Sequence, residues 1–131
     1  MIERYMELAY KEALKAYKKH EVPVGAIIVK NNKIISKGHN NRQNNYSVLG
    51  HAEINCIIKA EKKLKDWRLD GCDMYVTLEP CEMCEKIINE SRIDNVIYLV
   101  SKDKKIRTNV RKNLAESYYK LLTTFFDSLR K

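Results

Sequence analysis

Four residues in two short clusters have the types and spacing to do chemistry: His51 and Glu53 in His51-Ala52-Glu53, and Cys81 and Cys84 in Pro80-Cys81-Glu82-Met83-Cys84. Thiols at 81 and 84 lie one helical turn apart, so both sulfurs can face a single ion, and a helix N-terminus stabilises the deprotonated form that a metal needs. Pro80 suits a first helical turn, where its missing N–H costs nothing. One imidazole and two thiolates make the three-ligand zinc site in which water takes the fourth position, and a water held that way ionises near neutral pH. Glu53, two residues after His51, is not spaced to duplicate that ligand but can stand beside the water and carry its proton to a leaving group. The expectation is one zinc ion per chain on His51, Cys81 and Cys84, with Glu53 as the catalytic acid and base.

A lone C-x-x-C is common in zinc ribbons and redox sites, and a lone H-x-E carries little information. Together, in this order and with a strand before Pro80, they form the general pattern of zinc nucleobase deaminases, in which the glutamate is not a metal ligand. A reading from a different class is a non-catalytic zinc-stabilised binding module. That reading needs a fourth protein ligand, from Cys56, Cys72 or His39, and leaves Glu53 without a task. Cys56 and Cys72 otherwise read as small buried hydrophobes.

The elements that must position these residues follow from periodicity. Apolar residues from Ile2 to Tyr17 recur at three- and four-residue steps, which predicts an amphipathic helix to about Lys19 with His20 near its end. Val22 to Val29 is β-branched and interrupted by Pro23 and Gly25, an irregular opening that becomes a strand. Asn31-Asn32 supplies turn residues before a second strand, Lys33 to Lys37, which predicts a hairpin. The polar stretch 38–50 has neither periodicity and reads as a long loop. A helix is expected from His51 to about Asp66, a strand over Met74 to Leu78, a helix from Cys81 to about Ser91 and a strand over Val96 to Val100. Consecutive strand and helix units favour a right-handed crossover and parallel pairing. A terminal helix is expected from about Asn113 to Arg130. No repeat, linker or boundary interrupts the chain, so residues 1–131 read as one domain.

The chain is basic, with 25 Lys+Arg against 17 Asp+Glu and a net charge of +8, a field that raises the local concentration of polyanions. Six of the basic residues, Lys102, Lys104, Lys105, Arg107, Arg111 and Lys112, crowd the segment after Val100 and are candidate nucleic-acid contacts. The opening residues are charged and no apolar run approaches membrane-spanning length, so no membrane association is expected. With a metal preferred over a disulfide framework for Cys81 and Cys84, the expected location is the cytoplasm.

At these residues the sequence resembles the bacterial tRNA-specific adenosine deaminases of the cytidine deaminase-like superfamily. Glu21 to Ala26 is similar to that family's EVPVGA, His51 to Ile54 to its HAEI, Thr77 to Cys84 to its TLEPCxMC, and Ser91-Arg92-Ile93 to its SRI. The segment Leu121 to Phe126 is similar to its terminal helix with paired phenylalanines. The resemblance implies an α/β fold, a three-layer α/β/α sandwich with a central mixed sheet of four or five strands flanked by helices. It implies Asn40 at the edge of the bound base, Val24 and Ala26 along the wall and floor of the base pocket, Phe126 near bound RNA, and a homodimer. The chain departs from the pattern after Val100, where the basic segment 101–112 replaces a segment resembling GAxDxKxGAxGS, a helix and a fifth strand. His39 stands where a tryptophan is frequent.

The activity this implies is hydrolytic conversion of adenosine to inosine at the wobble position of a tRNA, with the anticodon loop as partner because the base must leave its stack. The neighbouring alternatives are a deaminase of free guanine, cytosine or a mononucleotide such as dCMP, and a deaminase of single-stranded DNA.

Overall fold

The structure is a computed structural model, which describes residues 2–103 and 112–129. It consists of α1 (Ile2–Lys18), β1 (Gly25–Lys30), β2 (Lys33–His39), α2 (Ala52–Leu64), β3 (Cys72–Leu78), α3 (Glu82–Glu90), β4 (Asn95–Val100) and α4 (Lys112–Leu129). Among the described residues the sheet has four strands in the order β2-β1-β3-β4. β1 runs antiparallel to β2 and β3, and β3 runs parallel to β4.

Strand alternation builds the two faces of this mixed sheet. Ile27, Val29 and Tyr75 point to one side, where Met6, Ala9 and Ala13 of α1 and Ala115, Tyr118 and Leu122 of α4 cover them. Ala26, Ile28, Met74 and Val76 point to the other, under Ala52, Cys56, Ile57 and Ala60 of α2 and Ile88 of α3. The result is the three-layer α/β/α arrangement. Tyr118, wholly buried, ties the terminal helix to the sheet entrance by donating its hydroxyl to the Pro23 carbonyl at 2.7 Å.

Local chemistry sets where the elements begin and end. α1 closes with His20 in the left-handed region (φ 62°), the Glu21 N–H bonded to Ala16 O and the His20 N–H to Tyr17 O, the paired bonds of a Schellman cap. Pro23 has no N–H, and the Val24 N–H turns back to Val22 O at 2.8 Å, so the ladder starts at Gly25 and not at Val22. Asn31 and Asn32 both take positive φ (51° and 61°), the type I′ turn that matches strand twist, so the predicted hairpin forms.

Candidate functional site

The two chemical clusters meet because each sits at a helix start. His51 is the N-cap of α2 and Cys81 the N-cap of α3; both are extended, and neither side chain caps its own helix. Both side chains therefore remain available to a common ligand, while the positive ends of two helix dipoles converge on it. The unserved first N–H of α2, on Ala52, goes instead to Asn40 Oδ1 at 2.7 Å. This bond fixes the Asn40 side chain at the end of β2.

The ligand atoms of His51, Cys81 and Cys84 all lie within 4.8 Å of one another. His51 Nδ1 is 3.5 Å from Cys84 Sγ and 4.0 Å from Cys81 Sγ. Tetrahedral zinc with Zn–S of ~2.3 Å and Zn–N of ~2.1 Å sets sulfur and nitrogen ~3.6 Å apart. Donor types and spacing thus fit zinc. No fourth ligand joins them among the described residues. Cys56 lies on the buried face of α2, where its sulfur contacts Ser36 Oγ at 3.2 Å, and Cys72 is buried at the start of β3. His39 is engaged elsewhere, with Nδ1 3.3 Å from Glu12 Oε1 and Nε2 3.4 Å from Lys19 Nζ. The closed site that a purely structural zinc requires is therefore not formed by these residues.

Glu53, in the first turn of α2, is buried and its carboxyl contacts the Cys84 thiol. Burial pushes its pKa above the usual carboxylate range. Burial likewise pushes the Cys84 thiol up, reinforced by Glu53 and Cys81, and pulls His51 down, with Arg42 adding to the effect. A cation among these donors reverses that direction for the sulfurs.

A cavity of about 350 Å³ opens on the cluster and is lined by His51, Glu53 and Cys81. Val22, Val24 and Leu78 supply apolar walls; Asn40, Arg42, Glu79 and Lys102 supply polar groups. A few polar groups in a mostly apolar cleft are what orient a small planar ligand. Asn40 commits Oδ1 to Ala52, so its Nδ2 is the donor it can offer a ligand.

The other expected positions divide. Val24 lines the cavity, but Ala26, expected on its wall or floor, is wholly buried under α2 and is not among the lining residues. Phe126 packs on the opposite side of the sheet, its ring 5.4 Å from Phe125 and against the cluster of α1 and α4. Lys102 lines the cavity; its N–H donates to Glu79 Oε1 at 3.0 Å and its Nζ lies 3.6 Å from Glu85 Oε2. Lys104, Lys105, Arg107 and Arg111 lie outside the described residues, and Lys112 opens α4.

Three residues went unmarked by sequence reasoning. Arg42 and Glu79 reach the cavity, and Glu21 braces its surroundings: the buried Glu21 carboxylate accepts the N–H groups of Gln43 at 3.1 Å and Asn44 at 2.7 Å. Glu21 and Glu79 fall inside the EVPVGA and TLEPC segments, the one signal that could have found them.

Comparison with known proteins agrees with this geometry. Residues 1–100 match the family described as the cytidine and deoxycytidylate deaminase zinc-binding region. The chain is 47% identical over 96 residues to the tRNA-specific adenosine deaminase of Bacillus subtilis (strain 168), a match covering 73% of this chain and 60% of that protein. It superposes with a TM-score of 0.75 and 40% identity on a structure from a study of A-to-I editing by tRNA deaminases at the wobble position, covering 77% of this chain and 73% of that one. A guanine deaminase from Bacillus subtilis gives a TM-score of 0.74 at 34% identity, over 78% of this chain and 66% of that one.

Proposed function

Since the chain belongs to the cytidine and deoxycytidylate deaminase zinc-binding family, we propose that it is a zinc-dependent hydrolase converting adenosine to inosine at the wobble position of tRNA. The observation that carries this reading is the clustering of His51, Cys81 and Cys84, with His51, Cys81 and Glu53 lining one cavity of about 350 Å³. Its similarity to the Bacillus subtilis tRNA-specific adenosine deaminase supports the substrate.

His51, Cys81 and Cys84 would hold the zinc, which when bound supplies the Lewis acidity that makes water nucleophilic near neutral pH. Glu53 would take one proton from that water and pass it to the ring nitrogen, then carry the second, from the added hydroxyl, to the departing amine. Its burial beside Cys84 keeps the carboxyl dry and close to the metal ligands. Val24 packs on the base, and Asn40 Nδ2 donates to its edge while Ala52 holds the amide in place. Lys102 and the basic residues Lys104, Lys105, Arg107, Arg111 and Lys112 attract the tRNA backbone. Two copies pair through α2, where Ile58 is exposed, and the loop after it, where Trp67 is exposed, and the protein works in the cytoplasm; no helix among the described residues is long and apolar enough to cross a membrane.

The likeness to a guanine deaminase favours one other reading, a free-nucleobase deaminase. Incubating the zinc-loaded protein with tRNA, single-stranded DNA and free bases, and measuring inosine, uracil and xanthine, separates them: inosine in tRNA supports the proposal, and products from free bases alone refute it. Glu53→Gln is expected to lower turnover about 10²–10⁴-fold, the range for one positioned acid and base, with zinc content unchanged.

A further inference from the structure

The segment between β2 and α2 is ordered by its own backbone yet leaves its apolar side chains in water. The Asn41 N–H donates to Gly50 O (2.9 Å) and closes its base, while Asn45 N–H to Asn41 O (2.9 Å) and Ser47 N–H to Arg42 O (3.0 Å) hold its interior. At Gly50 the chain folds so tightly on itself that a Cβ would meet Arg42 Cα at 2.6 Å. From outside, the Glu21 carboxylate grips Gln43 and Asn44. None of this scaffold covers Tyr46, Val48 and Leu49, which are 96%, 66% and 53% exposed. Tyr46 also holds a left-handed backbone (φ 51°), which a non-glycine residue adopts only at some cost. Ordered, contiguous apolar exposure of this kind marks a contact surface.

Its place in the fold says what it contacts. The loop runs from Asn40 to His51, its Arg42 lines the cavity, and the His51 N–H donates to Leu49 O at 2.8 Å. The apolar tip is thus joined directly to the edge of the site. A base drawn out of a single strand leaves a neighbour whose face needs a new stacking partner, and aromatic rings supply one without regard to sequence. Resting on the reading above, we propose that Tyr46, flanked by Leu49, is the stacking platform for the nucleotide next to the target base, with Arg42 taking the phosphate that joins the two. A free nucleobase has no such neighbour, so the platform selects a polynucleotide over a free base.

The test compares wild type, Tyr46→Ala and Tyr46→Phe on an RNA hairpin with adenosine in its loop and on free adenosine, with 2-aminopurine beside the target as a stacking probe. Tyr46→Ala is expected to raise KM on the hairpin about tenfold, within the contribution of one stacked base, with kcat, zinc content and the rate on free adenosine unchanged. It should also abolish the 2-aminopurine quenching seen with wild type, and Tyr46→Phe should restore both. An unchanged hairpin KM, an equal loss on free adenosine, or failure of Tyr46→Phe to rescue overturns the platform while leaving the proposed function standing. A wild-type protein that turns over free bases but not the hairpin refutes both.

Discussion

Asn40 has one end of its amide on Ala52 and, in the proposed function, the other on the base edge, and two substitutions separate these roles. Its Oδ1 accepts the Ala52 N–H at 2.7 Å in a buried setting, where the N-cap residue His51 provides no side-chain acceptor. Asn40→Ala removes that acceptor: losing a helix cap costs roughly 0.5–2 kcal/mol and stranding a buried donor about 1–3 kcal/mol, so ~2 kcal/mol is expected. For a chain of 131 residues each kcal/mol moves the unfolding midpoint by about 3–4 °C, so Tm falls by about 6–8 °C. Asn40→Asp keeps the acceptor and adds a negative charge at the positive end of α2, worth ~0.3–1 kcal/mol, so Tm stays at or slightly above wild type. It replaces the Nδ2 donor by an oxygen, however, which leaves the base edge facing an acceptor. A loss of ~3 kcal/mol in that contact is about 100-fold in kcat/KM. Thermal unfolding at equal zinc content, with steady-state deamination of an anticodon stem-loop, reads both. An Asp variant that melts as low as the Ala variant refutes the cap; one with wild-type kcat/KM refutes the base contact.

Two further perturbations test the supports of the site. Burial pushes the Glu21 carboxyl up, but the donors on Asn44 and Gln43 outweigh it and hold the group below its usual value. Its folded pKa is therefore below its unfolded one, and its contribution is full above about pH 4.3 and lost as pH falls through the folded value. The unfolding free-energy difference between wild type and Glu21→Gln is accordingly flat near neutrality and shrinks in acid; a difference that grows on acidification contradicts the geometry. Zinc removal should free one thiol, the half-buried Cys81, to a thiol reagent in the folded protein, while Cys84 stays shielded by burial. Cys56, its thiol pushed up to about 12 by burial, and buried Cys72 stay inert. Equal reactive-thiol counts with and without chelator would contradict the ligand assignment.

The elements were legible where local chemistry decides them. Asn31-Asn32 announced a hairpin because few residue pairs accept the two successive positive φ values found there, and the strand and helix units over 74–100 announced a parallel pair. Helix starts were read one residue early at both His51 and Cys81, because hydrophobic periodicity cannot distinguish an N-cap from the first helical residue. The placing of β1 between β2 and β3 was not legible: it depends on pairings between distant segments, and nothing local in Ala26 to Lys30 names Cys72 to Val76 as its neighbour.

The same division explains the site. The clustering of His51, Cys81 and Cys84 could be read because two helix starts with short fixed spacings bring their own geometry, whereas the cavity is assembled from strand ends and loops that share no local pattern. Val24 and Ala26 lie on one face of the sheet, as their spacing requires, yet Val24 reaches the cavity while Ala26 is packed under α2. Alternation gives the face of a residue, not how far the covering helix extends along it. Arg42, Glu79 and Lys102 reach one cavity from three loops that only the sheet brings together. Because His51 and Cys81 occupy cap positions without capping, the candidate metal ligands leave their helices an acceptor short; at α2 it is Asn40, a cavity residue, that makes up the deficit. The start of α2 and a polar wall of the cavity thus depend on one side chain, and removing the Asn40 acceptor is expected to disturb both.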